Sequence, residues 1–297
     1  MDILHLTYFL EVARQKSFTK ASQMLHVSQP SISKVIKTLE NELGVTLLER
    51  SGREVELTDA GEAVFKRVQR VVIEFKNLAS ELSDVIDLKR GELTIGLPPM
   101  IGSRFFPKPI AQFRQTYPLI HLKLIEEGAK QIELAVQDGT LDLGVVALPS
   151  AREDFETFAF VNEPLRVVLY HDHPLARSAS LSLAMLSNES FVLYREDFSL
   201  FDHILRQCQL NGFMPRIACQ SSQWDFIGEM VGAKLGIALL PETICKELDP
   251  QRFVTIPMND PIIPWHLAII WKKDRYISFA AREWLRLTKN YFNEQRR

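Results

Sequence analysis

The chain has 297 residues but only three cysteines, Cys208, Cys219 and Cys245, too few and too scattered for a disulfide framework. A reduced compartment is expected. No apolar run approaches the ~20 residues that span a bilayer. Met1 to His5 lack the basic start and apolar stretch of a secretory signal, so a cytoplasmic protein with no membrane partner is expected. There is no G-x-S-x-G elbow, no phosphate loop and no glycine-rich dinucleotide fingerprint. A repressor fused to a catalytic domain, such as a ligase, would need a nucleotide-binding loop, so no enzyme activity is expected. Among seven histidines only His171 and His173 stand close together, without a cysteine or acidic cluster at zinc-like spacing, so neither metal nor cofactor is expected. Nor is there an excess of one charge. Lys and Arg total 35 against 37 Asp and Glu, which excludes a bulk-basic DNA-architectural protein.

What is present is a composition fit for packed cores, 46% hydrophobic and 24% charged, in a length that suits two or three domains. Residues 17–61 carry the most information. Ala21 is small where two helices must cross, and Leu25 and Val27 are apolar anchors at a turn. Ser28 stands at an N-cap position, and Pro30 falls in the first turn, where a missing N–H does no harm. Ile32, Ile36, Leu39 and Leu43 follow at helical spacing and predict one buried face. Gln29, Ser31, Ser33, Lys34 and Lys37 are left on or near the opposite face and the exposed end. A helix-turn-helix would present these amides, hydroxyls and ammonium groups to base edges and phosphates. The alternative is an ordinary helical hairpin with a polar outer face. The sequel favours the first reading. Residues 47–50 and 55–57 flank Ser51-Gly52-Arg53 like two strands around a tight turn, a wing that brings Arg50 and Arg53 toward phosphate or the minor groove.

Residues 1–61 resemble the winged helix-turn-helix of the LysR-type transcriptional regulators. The landmarks are Leu6-x-x-Phe9, Phe18-x-x-Ala21, Leu25, the run from Ser28 to Ser33, Leu39-Glu40-x-x-Leu43-Gly44, Leu48-x-Arg50 and Leu57-Thr58-x-Ala60-Gly61. Ser22 stands where many members have a second alanine, and Asp59 where many have proline. The DNA-contacting set is expected to be Lys20, Ser28, Gln29, Pro30, Ser31, Ser33, Lys34, Lys37, Arg50 and Arg53. Seven cations face seven carboxylates in the first 57 residues, so contact depends on where the cations sit. A near-neutral domain also predicts weak binding as a monomer.

Thr58 is a good N-cap for a third helix, running to about Leu88. Val64, Val68, Val71, Phe75, Leu78, Leu82 and Val85 repeat at alternating intervals of four and three, with Phe65, Val72, Ala79 and Ile86 alongside. This heptad seam predicts a coiled coil between two chains; the alternative is a long amphipathic helix packed on its own chain. A two-fold dimer would set two recognition helices on the half-sites of an inverted repeat.

Beyond residue 90 strands and helices alternate, which predicts an α/β layer with mostly parallel strands. Strands are expected at 93–97, 120–124, 141–148, 166–170, 191–194, 216–219, 237–240 and 266–271. Helices are expected at about 102–116, 132–137, 200–210, 224–233 and 278–291. This order, with the landmarks 173–176 and 236–241, resembles the LysR effector domain, which is two-lobed like periplasmic binding proteins. The expected organisation is a winged helix at 1–58, a linker and dimerisation helix at 59–89, and an effector-binding domain at 90–297. By the resemblance its first lobe takes about 91–161 and 266–297, and its second 162–265.

Ligands of α/β sheets sit beyond the carboxyl ends of the strands, where helix N-termini offer free N–H groups. The first such place is the turn from Pro98 to Ser103, with Pro99, Met100, Ile101 and Gly102. Many relatives hold a carboxylate there through a hydroxyl, where this chain has Met100, and Ala129 replaces a frequent threonine after Gly128. These departures favour a small acid held by backbone amides, assisted by Ser103, Ser199, Ser222 or Arg195. Phe198 follows Arg195 toward the cleft. Arg195 could meet an effector carboxylate or pair with Glu196 or Asp197, and Trp224 could floor the pocket or pack between lobes. The residues around Arg195 and Trp224 resemble a subgroup tied to pyruvate and acetate overflow metabolism and cell lysis genes. The resemblance further implies a dimer or a tetramer on promoter DNA. A relative senses peroxide through a cysteine pair in the second lobe, but Cys208 and Cys219 do not share one loop, so structural thiols are expected.

Overall fold

Phe9, Val12, Ala21, Ile32, Leu39 and Leu47 have no exposed surface and form the first core of the chain. The computed structural model describes residues 1–51, 54–85, 90–149 and 154–295, and the chain divides into two units, Met1–Asp87 and Leu88–Arg297. In the first unit α1 (Ile3–Gln15), α2 (Phe18–Leu25) and α3 (Gln29–Leu43) enclose that core. A two-stranded wing follows, β1 (Leu48–Ser51) antiparallel to β2 (Glu54–Leu57), with Leu48 opposite Leu57 and Arg50 opposite Val55. The long α4 (Asp59–Val85) completes the unit.

Local chemistry starts each of these helices. Asp2 Oδ1 accepts from His5 N at 2.9 Å, Ser17 Oγ from Lys20 N at 3.3 Å, Ser28 Oγ from Ser31 N at 3.3 Å and Thr58 Oγ1 from Gly61 N at 2.9 Å. Gly44 ends α3 in the left-handed conformation, at φ 71°. The helix ends where the sequence places its end, but one expectation at this end is corrected. Leu43 is 38% exposed and leaves the buried face, while Leu47 and Leu48 from the start of the wing close that end of the core. Glu40 ties wing to helix, since its Oε1 accepts from Leu47 N at 2.8 Å and Leu48 N at 3.2 Å. Gly61 is required where α4 passes the wing, because a Cβ there would collide with the carbonyl oxygen of Leu47.

The expected seam on α4 divides into two parts. Val64, Phe65, Val68 and Val72 pack into the unit's own core, where Phe65 meets Phe9 edge-on at 6.4 Å. That use corrects the assignment of Val64 and Val68 to a partner chain. Val71, Phe75 and Leu78 are 51%, 54% and 54% exposed. The side chains of Leu82 and Val85, and residues 86–89, lie outside the described residues.

The second unit runs β3 (Gly91–Leu97), α5 (Pro99–Phe105), α6 (Pro107–Thr116), β4 (Ile120–Glu126), α7 (Ala129–Asp138), β5 (Leu143–Leu148) and β6 (Phe155–Tyr170). It continues with β7 (Leu181–Ser182), β8 (Ser190–Tyr194), α8 (Ser199–Leu210), β9 (Arg216–Ser221), α9 (Trp224–Gly232), β10 (Ala238–Pro241) and α10 (Glu242–Cys245). β11 (Phe253–Asp260), β12 (Pro264–Lys272) and α11 (Phe279–Gln295) close it. Where one helix was expected near 102–116, α5 and α6 meet at Pro107, which cannot continue the preceding ladder.

The main sheet has the order β4-β3-β5-β12-β6-β11-β7, with β10 also on β6, and β8 pairs β9 in a separate parallel sheet. The expectation of mostly parallel strands is corrected for the middle of the main sheet. There β12 is antiparallel to β5 and β6, and β6 is antiparallel to β10 and β11. The reason is β6, whose 16 residues run unbroken through both lobes, with β12 returning beside its first half. Leu93, Ile95, Leu143 and Val145 of one lobe and Val167, Phe191, Leu239 and Leu240 of the other belong to a single buried cluster.

Candidate nucleic-acid interface and ligand cleft

Burial of Ile32, Ile36 and Leu39 sets the rotation of α3, so its other face is left to solvent. Ser28, Gln29, Pro30, Ser31, Lys34 and Lys37 are exposed, Ser33 is half-buried, and Lys20 is exposed on α2. Lys20, Lys34 and Lys37 make no ion pair among the described residues. The Ser28 and Ser31 hydroxyls lie 2.7 Å apart in a hydrogen bond at the head of the helix. A projecting helix end with short polar groups and free ammonium groups has the form that enters a major groove. Val55 N, on the wing, donates to Lys16 O at 3.0 Å and anchors the hairpin to the turn between α1 and α2. Arg53 and the side chain of Arg50 lie outside the described residues.

In the second unit the carboxyl ends of β3, β5 and β8 converge with the start of β12. They enclose a narrow recess lined by Pro98, Met100, Ile101, Ala147, Tyr194 and Trp265, with Ala129, Phe198, Ser199 and Leu200. Its volume is about 20 Å³, enough for one water-sized group. The recess shares Ala129, Ala147, Ser199, Leu200 and Trp265 with an outer vestibule of about 220 Å³. The vestibule adds Lys130, Glu133, Asp202, His203 and Arg206, so it is polar where the recess is apolar.

Three helices begin at this cleft without a side-chain cap: α5 after Pro98, α7 after Gly128 and α8 after Phe198. The first amides of a helix have no intrahelical acceptor, so those of Ala129, Lys130, Ser199 and Leu200 remain as donors beside the shared lining. Tyr194 is fully buried, and burial pushes its phenol well above the usual range, so it stays protonated and donates to Met100 Sδ at 2.9 Å. At the mouth Lys130 reaches across from α7, donating to Glu196 O at 2.7 Å and pairing with Asp202 at 2.7 Å. Gly128 lies so close to the facing loop that a Cβ would stand 2.7 Å from Asp197 O. Burial first, then Arg206 and His266, lowers the pKa of His203, whose Nε2 finds no partner among the described residues.

The expected effector residues separate into two groups. Met100, Ile101, Ala129, Phe198 and Ser199 line the cleft. Pro99, Gly102, Ser103, Arg195, Ser222 and Trp224 do not. Ser103 Oγ donates to Met100 O at 3.1 Å within its own turn. Arg195 is held by Asp197 through two bonds of 3.0 and 2.6 Å, which also lower the Asp197 pKa. Trp224 packs on the main core. Pro98, which opens the expected turn, also lines the cleft, while sequence reasoning missed Ala147, Tyr194, Leu200 and Trp265. Tyr194 and Trp265 had a signal, since each lies at or beside the end of an expected strand.

The remaining candidates have structural roles. His173 Nδ1 accepts from Leu175 N at 3.1 Å and caps a short turn. Cys208 and Cys245 are buried, and burial pushes their thiols up to about 11 and about 12, so neither is a reactive thiolate.

Comparison with known proteins gives two family matches. Residues 3–62 match the bacterial regulatory helix-turn-helix protein, lysR family, and residues 87–293 match the LysR substrate binding domain. An uncharacterized HTH-type transcriptional regulator of Bacillus subtilis, YwbI, is 54% identical, covering 98% of this chain and 97% of the relative. The transcriptional dual regulator GltC of the same organism is 30% identical, covering 99% and 98%. Among solved structures, a full-length OxyR variant from Pseudomonas aeruginosa superposes with a TM-score of 0.75 at 27% identity, covering 99% of this chain and 95% of that one.

Proposed function

Starting from the fact that this chain belongs to the LysR family of transcriptional regulators, we propose that it reads an inverted repeat in promoter DNA and senses a small carboxylate in the cleft of its effector-binding domain. Gln29, Pro30, Ser31, Ser33 and Lys34 face bases or nearby backbone, and Ser28, Lys20, Lys37, Arg50 and Arg53 hold the phosphates or the minor groove. The exposed stripe of Val71, Phe75 and Leu78 pairs two chains, continued by Leu82 and Val85, and two dimers combine on the promoter. The protein acts in the cytoplasm by binding, without catalysis.

The observation that carries the carboxylate reading is the pair of uncapped helix starts at Ala129 and Ser199, which line both recess and vestibule. Their free amides suit an anion without any side-chain cation. The recess accepts only a methyl-sized group, while the vestibule has room for a larger acid; the resemblance of the residues around Arg195 and Trp224 makes acetate and pyruvate the first acids to try. Entry requires Lys130 to leave Asp202. Both side chains are about half exposed, and such a pair contributes roughly 1 kcal/mol or less, so opening is easy. Seating the acid then changes how the lobes pack, and with it the spacing of two dimers and the bend of the DNA.

The test is footprinting of the full chain on DNA upstream of its own and neighbouring genes, with and without a panel of small carboxylates. A protected inverted repeat that shortens or shifts with one acid is expected. A footprint that no acid moves would remove the carboxylate, and no footprint at all would remove the operator reading.

A further inference from the structure

Two side chains meet across the recess of the cleft. Met100 stands in the first turn of α5, and Tyr194 is the last residue of β8, paired with Ser221 on β9. They lie 94 positions apart, yet the Tyr194 hydroxyl donates to Met100 Sδ at 2.9 Å. Neighbours hold both in place. The Met100 carbonyl accepts from Ser103 Oγ at 3.1 Å, and Phe198 packs against the Tyr194 ring with centroids 5.7 Å apart. Tyr194 is 1% exposed and Met100 8%, so water does not compete for the bond.

This bond decides what the recess can offer. Among the described residues, Tyr194, Met100, Ser199 and Trp265 carry the only side-chain oxygen, sulfur or nitrogen atoms of the lining, and Ser199 and Trp265 are shared with the vestibule. A phenol has one proton to give, and a thioether is a weak acceptor that serves where no better one is in reach. With that proton committed to Met100, the recess has no donor of its own. An alkyl end loses nothing by entering it. A keto, nitrile or carboxylate end would leave lone pairs unpaired against apolar walls.

We propose that Met100, by holding the Tyr194 hydroxyl, selects monocarboxylates with an alkyl end and rejects those whose far end accepts hydrogen bonds. The inference rests on the carboxylate reading given above and names which acids qualify. The acid group stays at the amides of Ala129 and Ser199, and the alkyl end fills the recess. Met100 is thus a positioning residue for the Tyr194 proton. Without its sulfur the phenol would turn that proton to the ligand, and the same recess would favour an acceptor over a methyl group.

Calorimetry on the full chain with butyrate and cyanoacetate tests this, since the two acids match in heavy atoms and differ at the far end, alkyl in one and nitrile in the other. The proteins are wild type, Met100→Leu, which keeps the side-chain volume but removes the acceptor, and a double variant that adds Tyr194→Phe. The readout is the ratio of the two affinities. Wild type should favour butyrate roughly tenfold or more, as for a buried acceptor left without a donor. Met100→Leu should bring the ratio to within about twofold of unity or reverse it, because Tyr194 can then donate to the nitrile. The double variant should restore the preference for butyrate. Equal affinities in wild type would overturn the proposal, as would a ratio that Met100→Leu leaves alone. So would a ratio that stays changed in the double variant, where the shape of the recess and not the phenol proton would be responsible. No heat from either acid with any of the proteins, up to about 5 mM, would instead remove the carboxylate reading, and this proposal with it.

Discussion

Every helix of the first unit begins on a side-chain cap, supplied by Asp2, Ser17, Ser28 and Thr58. Of the seven helices described in the second unit, only α11 does, through Ser278; α5 to α10 have none. Three of the uncapped starts, those of α5, α7 and α8, stand at the cleft. In the proposed function the first unit offers its partner side chains on a capped helix, and the second offers the free backbone donors of α7 and α8.

The steepest test strikes the first unit at its tightest packing. Gly61→Ala pushes a methyl into the Leu47 carbonyl, and should cost about 3 kcal/mol, near the upper end for overpacking. Thermal unfolding of the full chain should then show an early transition for the DNA-binding unit. A single unshifted transition would mean that α4 and the wing can part freely.

In the second unit the sharper tool is Ala129→Pro. Proline is tolerated at the first position of a helix, and Gly128, at φ −66° and ψ 152°, already has the conformation that precedes proline. The substitution removes one free amide and leaves the helix intact. Affinity for the small acid should fall about tenfold, equivalent to ~1.4 kcal/mol, with thermal stability nearly unchanged. Unchanged affinity would show that α7 does not hold the carboxylate.

The matching change in the first unit, Ser28→Ala, removes a cap and should cost about 1 kcal/mol of stability by chemical denaturation. Lys34→Ala should leave stability alone. It should weaken DNA binding on all sequences, and the slope of log affinity against log salt should fall by ~0.9, as for one lost phosphate contact. A slope that does not move would take Lys34 off the DNA.

The gentlest test uses pH. Arg286 first, together with Tyr117, lowers the pKa of Glu283 below its ordinary 4.5 by hydrogen bonding, against an opposing effect of burial. A depressed folded pKa contributes stability above the unfolded value and loses it as pH falls through the folded one. The second unit should weaken below about pH 4.5, and Glu283→Gln should flatten that part of the curve.

The capped ends were legible because a cap is a local event. Ser28 with Pro30, and Thr58 before a periodic run, identify themselves within four residues. The heptad seam was legible as a pattern but not in its use. Val68 and Val71 look alike in sequence, yet one faces α1's core and the other solvent. β6 was read only from Arg166 because Glu163 and Pro164 break the apolar pattern. In the fold Pro164 stands opposite Pro264 on β12, and their shared position spares the ladder two donors that proline lacks. β11 was missed for a similar reason, since Pro257 and the closing Asn259 and Asp260 look like a turn. Arg195 shows the limit for charged residues: its chemistry suits a ligand, but Asp197, two residues on, takes both of its bonds.

The sequence by itself determined the family, the helices and wing of the first unit, and the cap of α3, because these rest on interactions between residues close in the chain. Only the tertiary structure decided which strand ends meet and which helix starts stay uncapped beside one another. It also decided that Tyr194 and Trp265 wall the same recess, and that Phe105, Phe160 and Phe292 pack together. These residues lie tens to nearly two hundred positions apart. Their proximity comes from the course of β6 and the return of β12, a long-range pairing that no local pattern specifies.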